Sequence, residues 1–301
     1  MAGLTGCSAV RLSYGQGAFL AHWWIDGYID FTTEQSARAR AALDDWFGWH
    51  RATQLADYTS LLGGVQRMAV DNVTPAQVCA LYQSAMTRVD RAYEQAVPAM
   101  ADMARSMTPA QLRHLEQRYQ KGNDELQRDH LQGDPGERRE KTQRQWVERA
   151  ESLYGRIDDA QRQLLAAALG RSPFDAQRWL VERRARQQDI LRGLRQLSAE
   201  RADAATAESL MRALAVTMTR STRADYQAYR QRLQDANCEA AALLHNSTSA
   251  AQRQRAVKKL KDWEDDLRVL VREPAAPRPQ PTGAAGVAPV TGSMAPSPAA
   301  G

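Results

Sequence analysis

The sequence predicts an all-α protein, folded as an irregular elongated bundle of about eight helices. One helix-start motif recurs along the chain, and apolar residues recur at helical spacing between its copies, as in Leu43, Trp46 and Phe47. No stretch alternates apolar and polar residues as a half-buried strand does, and no Asn-Gly hairpin turn is present. With 301 residues and 43% apolar content, the chain is long enough to bury a substantial core.

The charge pattern excludes one class of partner. The chain has 40 basic and 35 acidic residues, a net charge of +5, and the arginines are interspersed with acids rather than clustered. Nucleic-acid binding needs a concentrated basic face, so we expect no nucleic-acid partner. No run of 18 apolar residues is present, so we expect any membrane association to use a surface or an anchor.

The first element is the stretch Leu4-Thr5-Gly6-Cys7, which resembles the lipobox of bacterial lipoproteins. In that motif the cysteine receives diacylglycerol and becomes the mature N-terminus, so residues 1–7 are interpreted as the remnant of a signal with Cys7 as the lipidation site. The charged and apolar regions of a signal do not precede it, so we expect the true reading frame to start further upstream or the precursor to have been trimmed. Ser8, rather than Asp, after the cysteine implies sorting to the outer membrane. The alternative is a chance match in a cytoplasmic protein.

An aromatic and acidic segment follows, with Trp23, Trp24, Asp26, Tyr28 and Asp30 as candidate interaction residues. On a helix its aromatic side chains point in several directions, so we expect the segment to be largely buried, with the two aspartates paired to arginines. The alternative is a membrane-surface girdle, because Trp and Tyr suit the headgroup layer. Two carboxylates four residues apart also suit acid–base chemistry or a cation, but nothing nearby completes such a site, and no metal is assigned.

The helical body is predicted to span residues 8–273 as a single domain. Its helices start where a short oxygen-bearing residue is followed by Pro, or by an acid or amide three positions later, since such residues cap helix N-termini. The predicted starts are Thr32, Thr74-Pro75, Thr108-Pro109, Asp134-Pro135, Ser172-Pro173 and Thr248. Gly170 and Asn246 are the predicted helix ends. His245, beside that second end, is interpreted as a cation that complements the helix dipole, and Asn246-Ser247-Thr248 as a turn between helices.

The most enzyme-like stretch is Trp49-His50-Arg51, the second group of candidate interaction residues. A histidine beside aromatics and near Asp45 or Asp57 is a candidate base, and a structural hydrogen bonder is the alternative. The chain has no HExxH, CxxC or GxSxG motif and no phosphate-binding glycine loop. No catalytic residue and no cofactor are therefore assigned.

The remaining cysteines, Cys79 and Cys238, form a predicted disulfide. With Cys7 acylated in an oxidising periplasm, these two are left as a pair, and the bridge requires their Cα atoms to lie within about 7 Å. The alternative is two buried reduced thiols. From Pro274 onward Pro, Ala, Gly and Ser dominate, so residues 274–301 are predicted to form a disordered tail.

Several stretches together resemble an uncharacterised family of proteobacterial lipoproteins described only as a domain of unknown function. The stretches that carry this resemblance are Leu4–Tyr14, Trp23–Phe31, Trp46–Leu55, Thr74–Cys79, Leu112–Glu125, Arg171–Leu180, Asn237–Gln254 and Leu260–Arg268. The resemblance implies a lipid-anchored helical protein on the periplasmic face of the outer membrane, with no assigned activity. The Thr-Pro-x-Gln letters also look like the Leu-Thr-x-x-Gln signature of small helical periplasmic stress chaperones, although a capping box explains the same letters.

The function expected from the sequence is that of a binding or scaffolding module. Its expected partners are the membrane, through the lipid anchor, and an envelope protein or peptidoglycan. An envelope hydrolase that uses His50 with a nearby carboxylate, and a chaperone-like holdase, are the two alternatives.

Overall fold

A computed structural model describes residues 9–200 and 202–273, and within these ranges the regular secondary structure is entirely α-helical. The segments that carry Cys7 and the predicted tail lie outside the described residues. The described part of the chain contains twelve helices: α1 Ala9–Gly15, α2 Gly17–Ile29, α3 Thr33–Thr53, α4 Leu55–Met68, α5 Pro75–Arg105, α6 Pro109–His130, α7 Pro135–Tyr154, α8 Asp159–Gly170, α9 Ala176–Glu200, α10 Ala204–Arg220, α11 Ala224–Asn246 and α12 Ala250–Arg272. Among them, none combines the length and the apolar character that crossing a bilayer requires.

The helix class predicted from the sequence is confirmed, but the number of about eight helices is wrong. Two of the extra boundaries fall at Gln16 and Gln54, which carry no side-chain cap. At Gln54 the backbone N–H donates to the His50 carbonyl and the backbone carbonyl accepts from Tyr58, so the chain bends without leaving its hydrogen-bond ladder. Such a boundary has no proline or capping residue to mark it in the sequence.

Four of the six helix starts predicted from capping residues are confirmed, and the starts of α1, α2, α4, α8, α10 and α11 were not predicted. Thr32, Thr74 and Thr108 each accept a hydrogen bond from the backbone N–H of a glutamine three residues later, and that glutamine's side chain accepts from the N-cap backbone. Asp134 caps α7 through the backbone N–H groups of Gly136 and Glu137. The predicted ends at Gly170 and Asn246 are the last residues of α8 and α11.

Two predicted starts are wrong by one to three residues. Helix α9 begins after Asp175, which accepts from the Arg178 N–H, whereas Ser172 lies outside the helix and caps only the Phe174 N–H. Helix α12 is capped by Ser249 rather than Thr248, because Ser249 stands three residues before Gln252 and completes a capping box.

The helix pair α2–α3 is joined to the helix pair α5–α6 through the capping-box glutamines of α3 and α6. Gln35 Nε2 donates to the Ser106 carbonyl at 2.9 Å, and Gln111 Nε2 donates to the Asp30 carbonyl at 2.8 Å. The two side chains also bond to each other, with Gln111 Nε2 2.5 Å from Gln35 Oε1. The start of α3 is thereby locked to the start of α6.

The same arrangement recurs in the second half of the chain. Gln161 Nε2 donates to the Ser247 carbonyl at 3.0 Å, Gln252 Nε2 donates to the Arg156 carbonyl at 2.9 Å, and the two side chains bond to each other at 2.9 and 3.0 Å. Each bonded carbonyl belongs to the residue five positions before a capping glutamine, as in the first lock. Helices α7, α8, α11 and α12 therefore correspond to α2, α3, α5 and α6.

The main core lies where α5, α6, α9 and α10 meet. Its buried members are Val97, Ala101, Ala104, Met107, Leu112, Leu115, Leu191, Leu194, Leu197, Ala207, Met211 and Leu214. A second cluster, in α7, α8 and α11 and the turn between α7 and α8, contains Val147, Ala150, Ile157, Leu165 and Leu244. Helix α4 packs along α12, where Gln66 donates to the buried Glu264 at 2.7 Å. This packing leaves α1 and α2 on the periphery.

Candidate functional site

The structure places His50 on α3 in a cage of aromatic rings. Its Nδ1 lies 2.9 Å from the Tyr14 hydroxyl and its Nε2 lies 3.1 Å from the Tyr58 hydroxyl. The imidazole stacks on Trp46, with ring centroids 4.8 Å apart. Burial lowers the pKa of His50, and burial raises the pKa of Tyr14 to about 12. The histidine is therefore a neutral ring that joins α1 to α4.

The two carboxylates considered as partners for His50 do not bond to its ring nitrogens, because tyrosine hydroxyls occupy both. Asp57 instead accepts from Arg88 at 2.9 Å, and Asp45 is an exposed residue. The structure thus does not assemble a histidine–carboxylate pair at this position. It favours the structural reading of His50 that the sequence left open.

Trp49 and Arg51 lie at the edge of the same cage. The Trp49 ring is half-buried, with its centroid 6.3 Å from that of His50. The Arg51 guanidinium lies over the Tyr14 ring at 5.5 Å, and its Nη1 donates to the Glu273 carbonyl at 3.4 Å. Arg51 therefore helps to hold the end of α12 against α3.

The aromatic segment on α2 is not largely buried, and that expectation is wrong. Trp23 is 62% exposed and Trp24 is 55% exposed. The neighbouring apolar residues Phe19, Leu20 and Leu12 are 66%, 49% and 63% exposed. We call these five side chains the aromatic face. Only the two tryptophans were predicted as candidates, although the spacing of Phe19, Leu20, Trp23 and Trp24 in the sequence indicates one helical stripe.

The opposite side of α2 packs against the bundle, which explains why the aromatic face points outward. His22 is buried and its Nε2 lies 3.0 Å from the Ser36 hydroxyl of α3. Tyr28 lies half-buried between Trp24 and Tyr119 of α6, with ring centroids 4.9 and 6.4 Å away. A helix can turn only one side to its neighbours, and α2 uses the side of His22.

The two aspartates of this segment do not pair with arginines, which corrects the second part of that expectation. Asp26 Oδ1 accepts from the Phe31 backbone N–H at 2.8 Å and so caps the turn after α2. Asp30 adopts a left-handed φ of 58°, and its carbonyl accepts from Gln111. Within residues 9–200 and 202–273, no basic side chain lies within 4.0 Å of either carboxylate. Both residues shape the end of the helix.

Buried His245 and half-buried Tyr154 form a pair that was not predicted from the sequence. The Tyr154 hydroxyl lies 2.8 Å from His245 Nδ1, and Nε2 lies 2.8 Å from the Asp71 carbonyl. A carbonyl only accepts, so Nε2 carries the proton and Nδ1 accepts from the tyrosine. Because burial lowers its pKa, His245 is neutral rather than a cation that complements the helix dipole. Its burial could not be read from its position near a helix end.

The predicted disulfide between Cys79 and Cys238 is confirmed. The bridge joins α5 to α11 across a sequence separation of 159 residues, with Cα atoms 5.5 Å apart. This distance lies within the usual range for disulfides. The described residues contain no group of three or more His, Cys, Asp or Glu side chains placed to hold a metal ion.

An open groove of about 450 Å³ runs between α4 and α5. Its lining is mainly apolar, with Leu61, Val65 and Met68 from one helix and Leu81 from the other. Arg88 also lines the groove, and it donates to Asp57 and to the Ser84 carbonyl. The groove was not predicted because its walls come from two helices whose relative placement no single stretch of sequence determines.

Comparisons with known proteins give one match. A family model described as a family of unknown function (DUF6279) matches residues 27–215, which is more than half of the chain. The matched range includes all of α3 to α9 and most of α10. No curated protein and no solved structure matches the chain.

Proposed function

We propose that this chain, which belongs to the DUF6279 family of unknown function, is a lipid-anchored protein on the periplasmic face of the outer membrane. Within this proposal Cys7 carries the lipid, and the helical body acts as a binding or scaffolding module. The motif Leu4-Thr5-Gly6-Cys7 supports the anchor, and the helical body of α1 to α12 supplies the surfaces.

The observation that carries the proposal is how the three cysteines are divided. Cys79 and Cys238 bond to each other, which leaves Cys7 as the remaining cysteine of the chain. Structural disulfides persist in oxidising compartments such as the bacterial periplasm and are rare in the cytosol. The third thiol then stands where a lipobox would place the acylated residue. An oxidising periplasm would thus account both for the disulfide and for an acylated Cys7.

The proposed mode of action is binding rather than turnover. Both ring nitrogens of His50 are engaged by Tyr14 and Tyr58, so this imidazole serves to hold helices together. The aromatic face, by contrast, is exposed apolar surface on α1 and α2, and such surface usually marks an interaction site. We propose the membrane as one partner, through the anchor, and an envelope protein or peptidoglycan as the other.

Metabolic labelling with palmitate tests the anchor. The full-length product, expressed in its native host, is expected to incorporate label and to fractionate with the outer membrane. The variant Cys7→Ala is expected to lose both properties. The matched control Cys79→Ser/Cys238→Ser removes the other two thiols and should retain the label. An unlabelled wild-type product, or a Cys7→Ala product that fractionates like the wild type, would refute the anchor.

A second experiment separates binding from the two alternatives. The purified protein is incubated with peptidoglycan and, separately, with unfolded porins. Co-sedimentation with intact peptidoglycan supports a binding module. Release of muropeptides would contradict the binding-only view and indicate a hydrolase, and suppression of porin aggregation would indicate a holdase.

A further inference from the structure

We infer that the aromatic face of α1 and α2 lies flat in the headgroup layer of a phospholipid bilayer and orients the helical body on the membrane. This inference deepens the proposed function, on which it rests, by naming a surface and its partner. Five large apolar side chains, each about half exposed or more, form the aromatic face. Exposed apolar surface on this scale, four residues of it on one side of α2, usually marks an interaction site.

Helix α7, in the second half of the chain, provides a comparison for the outward residues of α2. Helix α7 corresponds to α2, but one more residue separates α7 from the next helix cap, Asp158, than separates α2 from Thr32. The two helices are therefore aligned on their last residues, Ile29 and Tyr154, which also brings their buried sides into register. His22 on α2 then matches Val147 on α7, and both are buried.

The outward positions of the two helices differ in chemistry. In this alignment Phe19, Leu20, Trp23 and Trp24 correspond to Arg144, Gln145, Glu148 and Arg149. The α7 residues are polar or charged, as expected for a solvated helix surface. The same architecture therefore tolerates a polar surface at these positions. Packing of α2 against α3 therefore does not require apolar residues at the outward positions of α2.

The composition of the aromatic face favours a lipid surface over a protein groove. Phenylalanine, leucine and tryptophan on one side of a helix are typical of segments that lie in the membrane interface. The tryptophan ring has an apolar body and one N–H donor, which suits the boundary between headgroups and acyl chains. On α2, Phe19 and Trp23, and Leu20 and Trp24, are each four residues apart, so these four side chains lie on one side of the helix.

Its place in the chain supports the same occupant. Helix α1 begins at Ala9, two residues after Cys7, and two residues span at most about 7 Å. A lipid on Cys7 would therefore hold the start of α1 at the bilayer surface. Helices α1 and α2 are nearly continuous, because the Gln16 N–H at their junction donates to the Leu12 carbonyl and the Leu20 N–H donates to the Gln16 carbonyl. The aromatic face on these two helices would therefore lie close to the same bilayer surface.

A cation lies at the far end of the aromatic face. The Arg118 guanidinium of α6 lies 5.3 Å from the centroid of the Tyr28 ring, and that ring lies 4.9 Å from the ring of Trp24. Within the described part of the chain, no carboxylate forms an ion pair with Arg118. The nearest acid on α2, Asp26, is turned into the cap at Phe31. This end of the surface therefore suits an anionic phospholipid headgroup.

Vesicle binding tests the inference with the full-length chain carrying Cys7→Ser, so that no acyl chain contributes. The vesicles contain phosphatidylethanolamine and phosphatidylglycerol. The substitution Trp23→Ala/Trp24→Ala is expected to weaken binding at least about tenfold. The matched control Glu148→Ala/Arg149→Ala, on the corresponding surface of α7, should bind within about twofold of the parent. Both pairs are exposed, so neither should alter the far-UV circular dichroism.

A conservative variant distinguishes membrane insertion from a folding defect. Trp23→Phe/Trp24→Phe keeps the apolar character and should bind the same vesicles almost as well as the parent. With brominated lipid, tryptophan quenching is expected for the parent and should be lost in this variant, although five of the seven tryptophans remain.

Three outcomes would overturn the inference. The first is vesicle binding that is absent in the parent or unchanged by Trp23→Ala/Trp24→Ala. The second is quenching that persists without Trp23 and Trp24. The third is a change of oligomeric state in that variant without any loss of vesicle binding, which would make the aromatic face an interface between copies. Because the chains in this test carry no lipid, their result is separate from palmitate labelling of Cys7, which decides the anchor.

Discussion

The side chains of Gln35 and Gln111 hydrogen-bond to each other while each closes the capping box of its own helix. One amide pair thus satisfies backbone groups of two helix N-termini and ties α3 to α6. Gln111 also donates to the Asp30 carbonyl, where the chain leaves α2 with a left-handed residue. The pair is buried, so loss of either partner leaves polar atoms without water to replace it.

The substitution Gln111→Ala is therefore expected to lower the free energy of unfolding by about 2 kcal/mol. Gln77→Ala is the matched control, because Gln77 closes the same kind of capping box on α5 but is exposed. Its loss should cost about 0.5 kcal/mol. Urea unfolding followed by circular dichroism measures both. Equal losses of unfolding free energy for the two variants would show that the bond between Gln35 and Gln111 does not contribute to stability.

Two glycines of α2 should respond in opposite directions to alanine. A Cβ at Gly17 would overlap the ring of Phe47, whereas a Cβ at Gly27 meets nothing within 4 Å. Phe47 is held between Tyr14 and Trp46, so its ring cannot move away without disturbing its neighbours. Gly17→Ala is expected to destabilise the protein by about 1–3 kcal/mol. Gly27→Ala should stabilise it by about 0.5 kcal/mol, because alanine restricts the unfolded chain.

Thermal unfolding of the two alanine variants provides the comparison. A lower midpoint for Gly17→Ala and a higher one for Gly27→Ala are the expected signs. The same sign for both variants would show that α2 does not pack against Phe47 as described.

The disulfide between Cys79 and Cys238 is expected to contribute strongly to stability. For the 159-residue separation, the chain-entropy model gives about 5 kcal/mol. Cys79→Ser/Cys238→Ser should therefore unfold at clearly lower urea concentration than the parent, whereas Cys7→Ser should not. Gel mobility with and without reductant checks the bridge itself. Equal mobility, together with two alkylatable thiols at Cys79 and Cys238 in the folded protein, would rule the bridge out.

Stability is expected to fall on mild acidification because of the buried histidines. Burial lowers the pKa of His50 and of His245, whereas both side chains titrate near 6.5 in the unfolded chain. Between pH 6.5 and these lowered values the unfolded state binds protons that the folded state does not. The contribution is thus fully present above pH 6.5 and is lost as the pH falls below it. The slope is at most about 1.4 kcal/mol per pH unit for each histidine.

Urea unfolding between pH 7.5 and pH 5 measures this dependence. The variant His50→Gln removes one titrating group and should show a shallower loss of stability over the same range. A slope as steep as that of the parent would indicate that His50 is protonated in the folded protein.

The side chain of Asn246 should tolerate little change. Its Oδ1 accepts from the Val73 N–H at 2.8 Å and its Nδ2 donates to the Val73 carbonyl at 2.9 Å. Asn246→Asp keeps the shape but turns a second acceptor toward that carbonyl, so we expect a loss of about 1–3 kcal/mol. Ser249→Ala, at the cap of the next helix, should cost about 1 kcal/mol and serves as a reference. Equal losses would show that the Val73 contact is not specific.

The sequence predicted the helix class and several helix boundaries because both depend on neighbouring residues. Thr74 and Thr108 cap helices through a glutamine three residues away, and Pro follows each at a position where its missing N–H costs nothing. The starts without proline were less visible. Asp158 caps α8 through Gln161, and Asp203 caps α10 through the Thr206 N–H; neither start carries a proline, and neither was predicted.

The sequence also determined the chemistry of the candidate surfaces, since the letters Trp23 and Trp24 are aromatic wherever they lie. Which way they point was decided by the packing of α2, whose buried side is set by His22 and Ser36. The partner of His50 was decided in the same way, because Tyr14 and Tyr58 reach it from two other helices. Capping, composition and helical spacing act over a few residues and can be read along the chain. The lock between Gln35 and Gln111, the bridge between Cys79 and Cys238 and the exposure of the aromatic face depend on contacts between distant segments, which only the packed bundle brings together.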